Sequence, residues 1–107
     1  MSRVGTLQWV APEVLLGQKY SHKCDAWSFG VVVWELLTAM VPFDGLDRNE
    51  LARKVALEGL RLPPPSGTPR RLLVLIARCF DKPRGRPEFT AILTELRAVA
   101  AAMPVEA

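Results

Sequence analysis

The side chains that most often perform catalysis or bind metal ions are sparse in this 107-residue chain. Cys24 and Cys79 are its two cysteines and His22 is its single histidine, and they form neither a CxxC pair nor a Cys/His set with zinc-ligand spacing. One histidine cannot supply a metal site, and no Ser/His/Asp arrangement surrounds it. We therefore predict no metal ligands and no nucleophilic catalytic residue, and we expect both cysteines to be free thiols in a reducing compartment.

A stretch rich in basic residues is a second candidate for chemistry. Between residues 61 and 86 only one acid, Asp81, stands against seven basic side chains, namely Arg61, Arg70, Arg71, Arg78, Lys82, Arg84 and Arg86. A basic cluster of this kind is typical of nucleic-acid surfaces, but those surfaces also present aromatic side chains on which bases stack. Phe80 is the only aromatic residue in the stretch. We therefore interpret the stretch as a solvated basic face and predict no nucleic-acid partner.

Four short segments carry stronger information because of the residues they combine and the order in which they occur. They are GTLQWVAPEVL from Gly5, CDAWSFGVVVWELLT from Cys24, the pair Pro42-Phe43, and RPEF from Arg86. Together they resemble the second half of a protein kinase domain, whose signature set includes the Ala-Pro-Glu tripeptide. The resemblance extends from Gly5 to about Ala98. The Gly-Thr step with Trp9 before Ala-Pro-Glu resembles the tyrosine-kinase-like group of serine/threonine kinases.

The resemblance implies a role in substrate binding for the first segment. Gly5, Thr6 and Trp9 match the loop that receives the substrate residue just after the phosphorylated one. In serine/threonine kinases the hydroxyl that matches Thr6 hydrogen-bonds the catalytic aspartate and its lysine. Without the resemblance, Thr6 is better interpreted as an ordinary turn residue.

The resemblance also implies a buried ion pair between Glu13 and Arg86, which ties the substrate loop to the helical part of the domain. An arginine suits this position because its planar fork can bind a carboxylate through two parallel hydrogen bonds. The segment CFDKPRGRP is one residue shorter than the usual family spacing, and Phe80 stands where tryptophan is common, so Arg84 is a rival partner. We prefer Arg86 because Pro87 follows it. The alternative is two unrelated surface charges.

Asp25 matches the aspartate that opens the long helix of kinases. In the family its carboxylate accepts backbone N–H groups of the catalytic loop, so the resemblance makes it an anchor for that loop. Its alternative is an ordinary helix N-cap, which uses the same acceptor chemistry on its own helix.

The motifs that perform phosphoryl transfer are missing from the sequence. Kinases position ATP, magnesium and the acceptor hydroxyl with a GxGxxG loop, a strand lysine, an H-R-D loop and a D-F-G step. None of these occurs, and the WSFG segment has Ser28 where the metal-binding aspartate of D-F-G would stand. In family order all of them precede Gly5. We therefore expect this chain to contain no catalytic residue and to bind neither ATP nor magnesium, both of which the full-length family uses.

Two functions follow as expectations. The first is the C-terminal fragment of a cytoplasmic serine/threonine kinase that phosphorylates protein substrates in its full-length form, with this chain inactive by itself. The second is a stand-alone, non-catalytic binding module that docks on a partner kinase or a scaffold.

The elements that would position these residues are predicted to be helices, in a mainly α fold without a sheet. We expect about five helices, over residues 12–16, 25–40, 48–58, 69–80 and from 87 onward. Gly17 is a typical residue after a helix end, Asp47 and Glu50 form a capping box, and Thr68 is a candidate N-cap. The last helix carries an apolar stripe that consists of Phe89, Ile92, Leu93, Leu96 and Val99. We expect fraying after Ala100.

The helix predicted over 25–40 is apolar on all sides, which requires burial on all sides. The remaining segments are too short to cover it completely, so we expect an uncovered apolar face. In kinases the N-terminal lobe and the catalytic loop, which are missing here, would cover it. Glu35 and Pro42 argue against a membrane span. We assign residues 1–102 to one partial kinase domain and residues 103–107 to a disordered tail.

Overall fold

The computed structural model describes residues 7–103, and within that range the chain is helical and contains no strand. Five α-helices lie within this described range: α1 (Pro12–Leu15), α2 (Lys23–Thr38), α3 (Arg48–Leu51), α4 (Arg70–Cys79) and α5 (Phe89–Ala102). A π-helix (Ala52–Leu57) continues α3 directly, and a 3₁₀ turn (Pro83–Gly85) joins α4 to α5. The predicted class, mainly α without a sheet, is confirmed. Residues 104–107, which include most of the predicted tail, lie outside the described residues.

Helix α2 lies at the centre of the hydrophobic core. Its side chains Trp27 and Val31 are completely buried, and Trp34 is nearly so. Burial of a large apolar side chain contributes about 1.5–3 kcal/mol, so these positions stabilise the fold strongly. The core around them is completed by α3, the π-helix, α4 and α5, through Leu51, Val55, Ile76 and Ile92, respectively.

Gly30 allows α2 and α4 to approach each other closely. A Cβ atom at this position would lie 2.8 Å from Cβ of Cys79 and 2.9 Å from Cε1 of Phe80. Both distances are shorter than carbon atoms tolerate. The glycine in the WSFG segment is therefore explained by helix packing.

Helix α2 begins and ends two residues earlier than the sequence predicts. The hydroxyl of Ser21 accepts the backbone N–H of Lys23, at 3.2 Å, and the helix begins there. At the other end, the hydroxyl of Thr38 donates to the Trp34 carbonyl and accepts the N–H of Met40, at 2.9 and 3.2 Å. Ala39 then adopts the left-handed conformation, with φ of 56°. Thr38 therefore ends α2 before Pro42 can do so.

The predicted helix over 48–58 changes pitch after one turn. The capping box is present, because the Asp47 side chain accepts the N–H of Glu50 and the Glu50 side chain accepts the N–H of Asp47. After Leu51 the chain widens into the π-helix, and the carbonyl of Val55 accepts a hydrogen bond from Arg61 at 2.9 Å. The local sequence pattern predicted a continuous helix here and did not indicate the change of pitch.

The starts of α4 and α5 differ from the predictions. Pro69, not Thr68, is the N-cap of α4, because its ψ of 138° keeps it extended. Glu88 is the N-cap of α5 with ψ of 155°, so the helix begins at Phe89 and not at Pro87. The carboxylate of Glu88 is bound by His22 and Lys23. The end of α5 reaches Ala102, beyond the predicted fraying at Ala100.

Two faces of the molecule present apolar side chains to solvent. On α2, Leu36 is 77% exposed and Val32 and Leu37 are 41% exposed, so the expected uncovered face of this helix is present. On α5, Phe89 and Leu93 of the predicted stripe are about half exposed, although Phe29 of α2 contacts the Phe89 ring edge-on with centroids 5.8 Å apart. Over residues 7–103, no helix is both long and apolar enough to cross a bilayer.

Candidate functional site: the anchored loop before α1

The buried ion pair between α1 and the start of α5 is the centre of the site. Arg86 donates from Nη1 to Oε2 of Glu13 at 2.7 Å and from Nη2 to Oε1 at 2.8 Å. The side chains are 1% and 8% exposed, respectively. The rival residue Arg84 is exposed in the 3₁₀ turn. Glu13 and Arg86 are separated by 73 positions in the sequence, and the structure brings them into a bidentate contact.

The backbone satisfies most of the remaining donors of Arg86. Its Nε donates to the carbonyl of Asp81 at 2.8 Å, and Nη1 also donates to the carbonyl of Lys23 at 3.1 Å. In return, Nζ of Lys23 donates to the carbonyl of Arg86. A buried charge is costly unless it is paired and hydrogen-bonded, and here both conditions are met. The guanidinium thus links α1, the first turn of α2 and the turn after α4.

Trp27 packs beside this ion pair. The guanidinium carbon of Arg86 lies 5.4 Å from its ring centroid, and that of Arg61 lies 4.8 Å away. Phe80 packs against the same indole at 5.1 Å. Cation–π contacts of this kind stabilise a guanidinium where water is excluded. The indole Nε1 of Trp27 is buried and has no hydrogen-bond partner within the described residues.

The protonation of Glu13 follows from two opposing effects. Burial alone would raise the pKa of its carboxyl group, because it penalises the charged form. The hydrogen bonds from Arg86, a backbone hydrogen bond and the positive charge of Arg86 outweigh burial, so the pKa of Glu13 is lower than its ordinary value. Glu13 is therefore ionised at neutral pH, as a carboxylate–guanidinium pair requires.

The two cysteines are free and neither is activated. Burial raises the pKa of the Cys79 thiol to about 11. The pKa of Cys24 is raised as well, first by burial and then by the nearby charges of Asp25 and Glu13. A raised pKa keeps a thiol protonated and poorly nucleophilic. These observations agree with the prediction of free thiols.

The loop that precedes α1 is attached to α2 and to the segment after it. Ser28 donates to the Trp9 carbonyl at 2.6 Å, and Nε1 of Trp9 donates to Oε1 of Glu35 at 3.3 Å. Nε2 of Gln8 donates to the carbonyls of Pro42 and Phe43 at 2.9 and 3.1 Å. Of the predicted loop residues, Trp9 is held by these bonds, whereas Gly5 and Thr6 lie outside the described residues.

Sequence reasoning missed four residues that support this loop and the ion pair: Gln8, Lys23, Ser28 and Glu35. Gln8 is 5% exposed, and its amide donates to two backbone carbonyls of the segment that follows α2. Nothing in the local pattern marks Gln8, Lys23 or Ser28, since each is an ordinary polar residue. For Glu35, a signal was present, because it is a lone acid within an apolar segment.

Asp25 occupies the first turn of α2 but does not cap it. The N-cap of α2 is His22, so the alternative interpretation of Asp25 as an N-cap is wrong. The reason is the early start of the helix at Lys23, which places Asp25 inside the first turn. Its side chain is exposed and accepts a long contact from the Cys24 thiol at 3.8 Å. The carboxylate can therefore accept further donors from another segment.

No metal centre is formed by the described part of the chain. Within residues 7–103 there is no group of three or more His, Cys, Asp or Glu side chains that could hold a metal ion. The described site consists of a loop, the two charged residues that hold α1, and the first turn of α2.

Comparison with known proteins identifies the family of this chain. The family model described as "Protein tyrosine and serine/threonine kinase" matches residues 2–96. Mitogen-activated protein kinase kinase kinase 12 of Rattus norvegicus is 44% identical over 97 residues, which are 90% of this chain and 11% of that protein. Mitogen-activated protein kinase kinase kinase 11 of Homo sapiens is 45% identical over 102 residues, which are 94% of this chain and 12% of that protein.

A similar relation holds for mitogen-activated protein kinase kinase kinase 10 of Xenopus laevis, which is 42% identical over 100 residues. The match covers 92% of this chain and 10% of that protein. This chain thus spans about a tenth of the length of the curated relatives it matches. The chain belongs to the protein kinase family, as its resemblance to the tyrosine-kinase-like group predicted.

Proposed function

We propose that this chain is the helical C-terminal part of a serine/threonine protein kinase domain, and that the longer protein transfers the γ-phosphate of ATP to hydroxyls of protein substrates. The observation that carries the proposal is the bidentate pair of Glu13 and Arg86, because it attaches the Ala-Pro-Glu segment to the helical core. The names of the curated relatives, which are kinase kinase kinases, support the reaction class. The two free thiols are compatible with an intracellular protein.

In this proposal the loop before α1 contacts the protein substrate. Gly5, Thr6 and Trp9 form its substrate-facing part, and Thr6 hydrogen-bonds the catalytic aspartate and lysine of the longer protein. The bonds of Trp9 to α2 support a fixed loop, since a substrate-binding segment has to be held by a rigid element. Asp25 anchors the backbone of the catalytic loop. Its exposed carboxylate supports that role, because it accepts no backbone N–H within the described residues.

ATP and magnesium are assigned in this proposal to residues that this sequence does not contain. The sequence has no GxGxxG, H-R-D or D-F-G motif. The remaining kinase parts, the N-terminal lobe and the catalytic loop, would cover the apolar face of α2 around Leu36. This chain by itself is accordingly proposed to be inactive.

Sequencing of the transcript upstream of the Met1 codon tests the proposal directly. An open frame that encodes H-R-D and D-F-G supports it, whereas in-frame stop codons behind a verified transcript start contradict it.

A binding experiment tests the proposal that this chain by itself has no nucleotide site. Titration of this chain with Mg-ATP should leave its melting temperature unchanged, and a saturable increase would show that a nucleotide site exists after all.

A stand-alone binding module is the second candidate function. The observation that favours it is the exposed face of α2, because a large exposed apolar patch marks an interaction surface. In that case the chain would dock on a partner kinase or a scaffold. The transcript experiment distinguishes the two candidates, since only the module requires a short translated product.

A further inference from the structure

Two grooves run along opposite sides of α4 and share its exposed edge. The first is an apolar groove of about 330 Å³ between α4, Trp34 and the proline-rich segment 62–65. The second is a basic groove of about 390 Å³ between α4 and α5. Arg70 and Val74 line both grooves. The two therefore form one surface, which we call the α4 groove, and it goes beyond the kinase site proposed above.

The apolar side of the α4 groove is rigid. The indole of Trp34 is 3% exposed, and its Nε1 donates to the carbonyl of Pro63 at 2.7 Å, which fixes the proline segment against α2. Three consecutive prolines restrict the backbone of the other wall. A preformed cleft of this kind suits an apolar side chain, because little conformational entropy is lost when it is filled.

The basic side of the α4 groove has an excess of positive charge. Its walls carry three guanidinium groups, of Arg70, Arg71 and Arg78, and one carboxylate, of Glu95. Nε of Arg71 donates to Oε1 of Glu95 at 2.8 Å, so that carboxylate is already paired. Within residues 7–103, Arg70 and Arg78 form no ion pair, and both are exposed. The positive charges of Arg70 and Arg78 therefore favour an anionic partner.

The spacing of the groups defines the chemistry of that partner. Arg70, Val74 and Arg78 are four residues apart on successive turns of one helix, so they lie in a row with a rise of about 6 Å per step. From charge complementarity, we propose that the α4 groove binds a short acidic segment of another protein, with one apolar side chain in the proline-lined cleft and acidic side chains on Arg70 and Arg78. Arginine is suited to this task because its fork binds carboxylates with defined geometry.

A protein segment is favoured over an anionic membrane by the shape of the surface. Membrane-binding helices present protruding apolar side chains that enter the lipid. Here the apolar surface is a cleft whose floor is the nearly buried Trp34. A cleft accommodates a side chain, whereas it offers a bilayer little to bind.

The test measures fluorescence anisotropy of a labelled, acetylated heptapeptide with one leucine flanked by three glutamates on each side, titrated with the full chain. Binding should weaken about tenfold or more in Arg70→Glu/Arg78→Glu, and similarly when the glutamates are replaced by glutamines. An increase in salt from about 50 to about 300 mM should also weaken it. The matched control is Arg97→Glu, an exposed arginine of α5 that lines neither groove, and it should bind normally.

A second measurement locates the bound peptide. In ¹⁵N-resolved spectra, the indole N–H signal of Trp34, assigned through Trp34→Phe, should shift on peptide addition more than that of Trp27. Replacement of the peptide leucine by alanine should reduce the shift. The proposal is wrong if the peptide does not bind the chain, or if Arg97→Glu weakens peptide binding as much as the double variant does. It is also wrong if the chain binds phosphatidylserine vesicles but not the peptide.

Discussion

At the scale of single residues, the contact between Glu13 and Arg86 depends on both charges being present. The guanidinium is 1% exposed, so removal of the carboxylate leaves a buried charge with only neutral carbonyl partners. We expect Glu13→Ala to lower the free energy of unfolding by about 3–5 kcal/mol, measured by urea denaturation.

Two variants control that prediction. Arg53→Ala removes one partner of the exposed pair with Glu58, and it should cost less than about 1 kcal/mol. The double variant Glu13→Ala/Arg86→Met should be less destabilised than the sum of its single changes, because it removes both buried charges. Additive losses would contradict the view that the unpaired charge is the source of the cost.

The same carboxyl group predicts a pH dependence with a definite sign. The pKa of Glu13 is lower in the folded protein than its ordinary value of 4.5. Its contribution to stability is therefore fully present above pH 4.5, and it is lost as the pH falls through the lower, folded pKa. Unfolding free energies of the wild type and Glu13→Gln should converge as the pH falls below about 4.5.

Other carboxyl groups remain in both proteins of that comparison. The pKa values of Glu88 and Glu95 are also lowered, mainly by hydrogen bonds from His22 and Arg71, respectively. Because these residues are unchanged in Glu13→Gln, the difference between the two pH profiles reports Glu13 alone. A constant difference from pH 7 to pH 3 would show that this carboxyl group does not titrate with folding.

At the scale of helices, the packing of α2 on α4 depends on the missing side chain of Gly30. Alanine would improve helix propensity by up to about 1 kcal/mol. Its Cβ would however lie 2.8 Å from Cβ of Cys79, which is held by the backbone of α4. We expect the clash to outweigh the gain in helix propensity. Gly30→Ala should lower the free energy of unfolding by about 1–3 kcal/mol, measured by urea denaturation. Val32→Ala, on the exposed face of the same helix, should change stability much less.

The helical scale also shows where local pattern and tertiary contacts disagree. The capping box of Asp47 and Glu50 was predictable, because both of its hydrogen bonds form within four residues. The π-helix that follows was not, since the residues of Ala52–Leu57 carry no pattern that distinguishes it from an α-helix. Arg61 donates to the Val55 carbonyl six residues earlier, and its Nε donates to the carbonyl of Phe80 at 3.0 Å. Arg61 thus ties the π-helix to the residue that follows α4.

At the scale of the whole molecule, the exposed face of α2 should determine how the isolated chain behaves. Leu36 is 77% exposed and Val32 and Leu37 are each 41% exposed on a helix that is otherwise the centre of the core. We expect self-association of the chain through this face. Leu36→Lys should reduce the apparent molecular mass in light scattering at high protein concentration and leave the helical circular dichroism signal unchanged.

A control variant tests whether position matters more than charge. Leu57→Lys places the same charge on an apolar residue that is 69% exposed on the π-helix, away from α2. It should not reduce association to the same extent. Equal effects of the two variants would indicate that net charge, and not the α2 face, controls the solubility of the chain.

The sequence by itself determined the helical class, the family and the identity of several site residues. It could do so because helix periodicity, capping residues and the Ala-Pro-Glu segment are local or ordered patterns. Glu13 and Arg86 were paired through the family resemblance, since nothing local connects residues 73 positions apart. The capping box of Asp47 and Glu50 was predicted from the local sequence alone, without the family resemblance.

Only the tertiary structure decided which groups satisfy one another. The two-pronged geometry of the contact between Glu13 and Arg86 and the Gln8 bonds to the segment after α2 depend on distances between elements. So does the shape of the α4 groove, where a tryptophan of α2 meets a proline segment. The physical reason is that buried polar groups must find partners wherever the packed helices place them, and a linear pattern does not contain that placement.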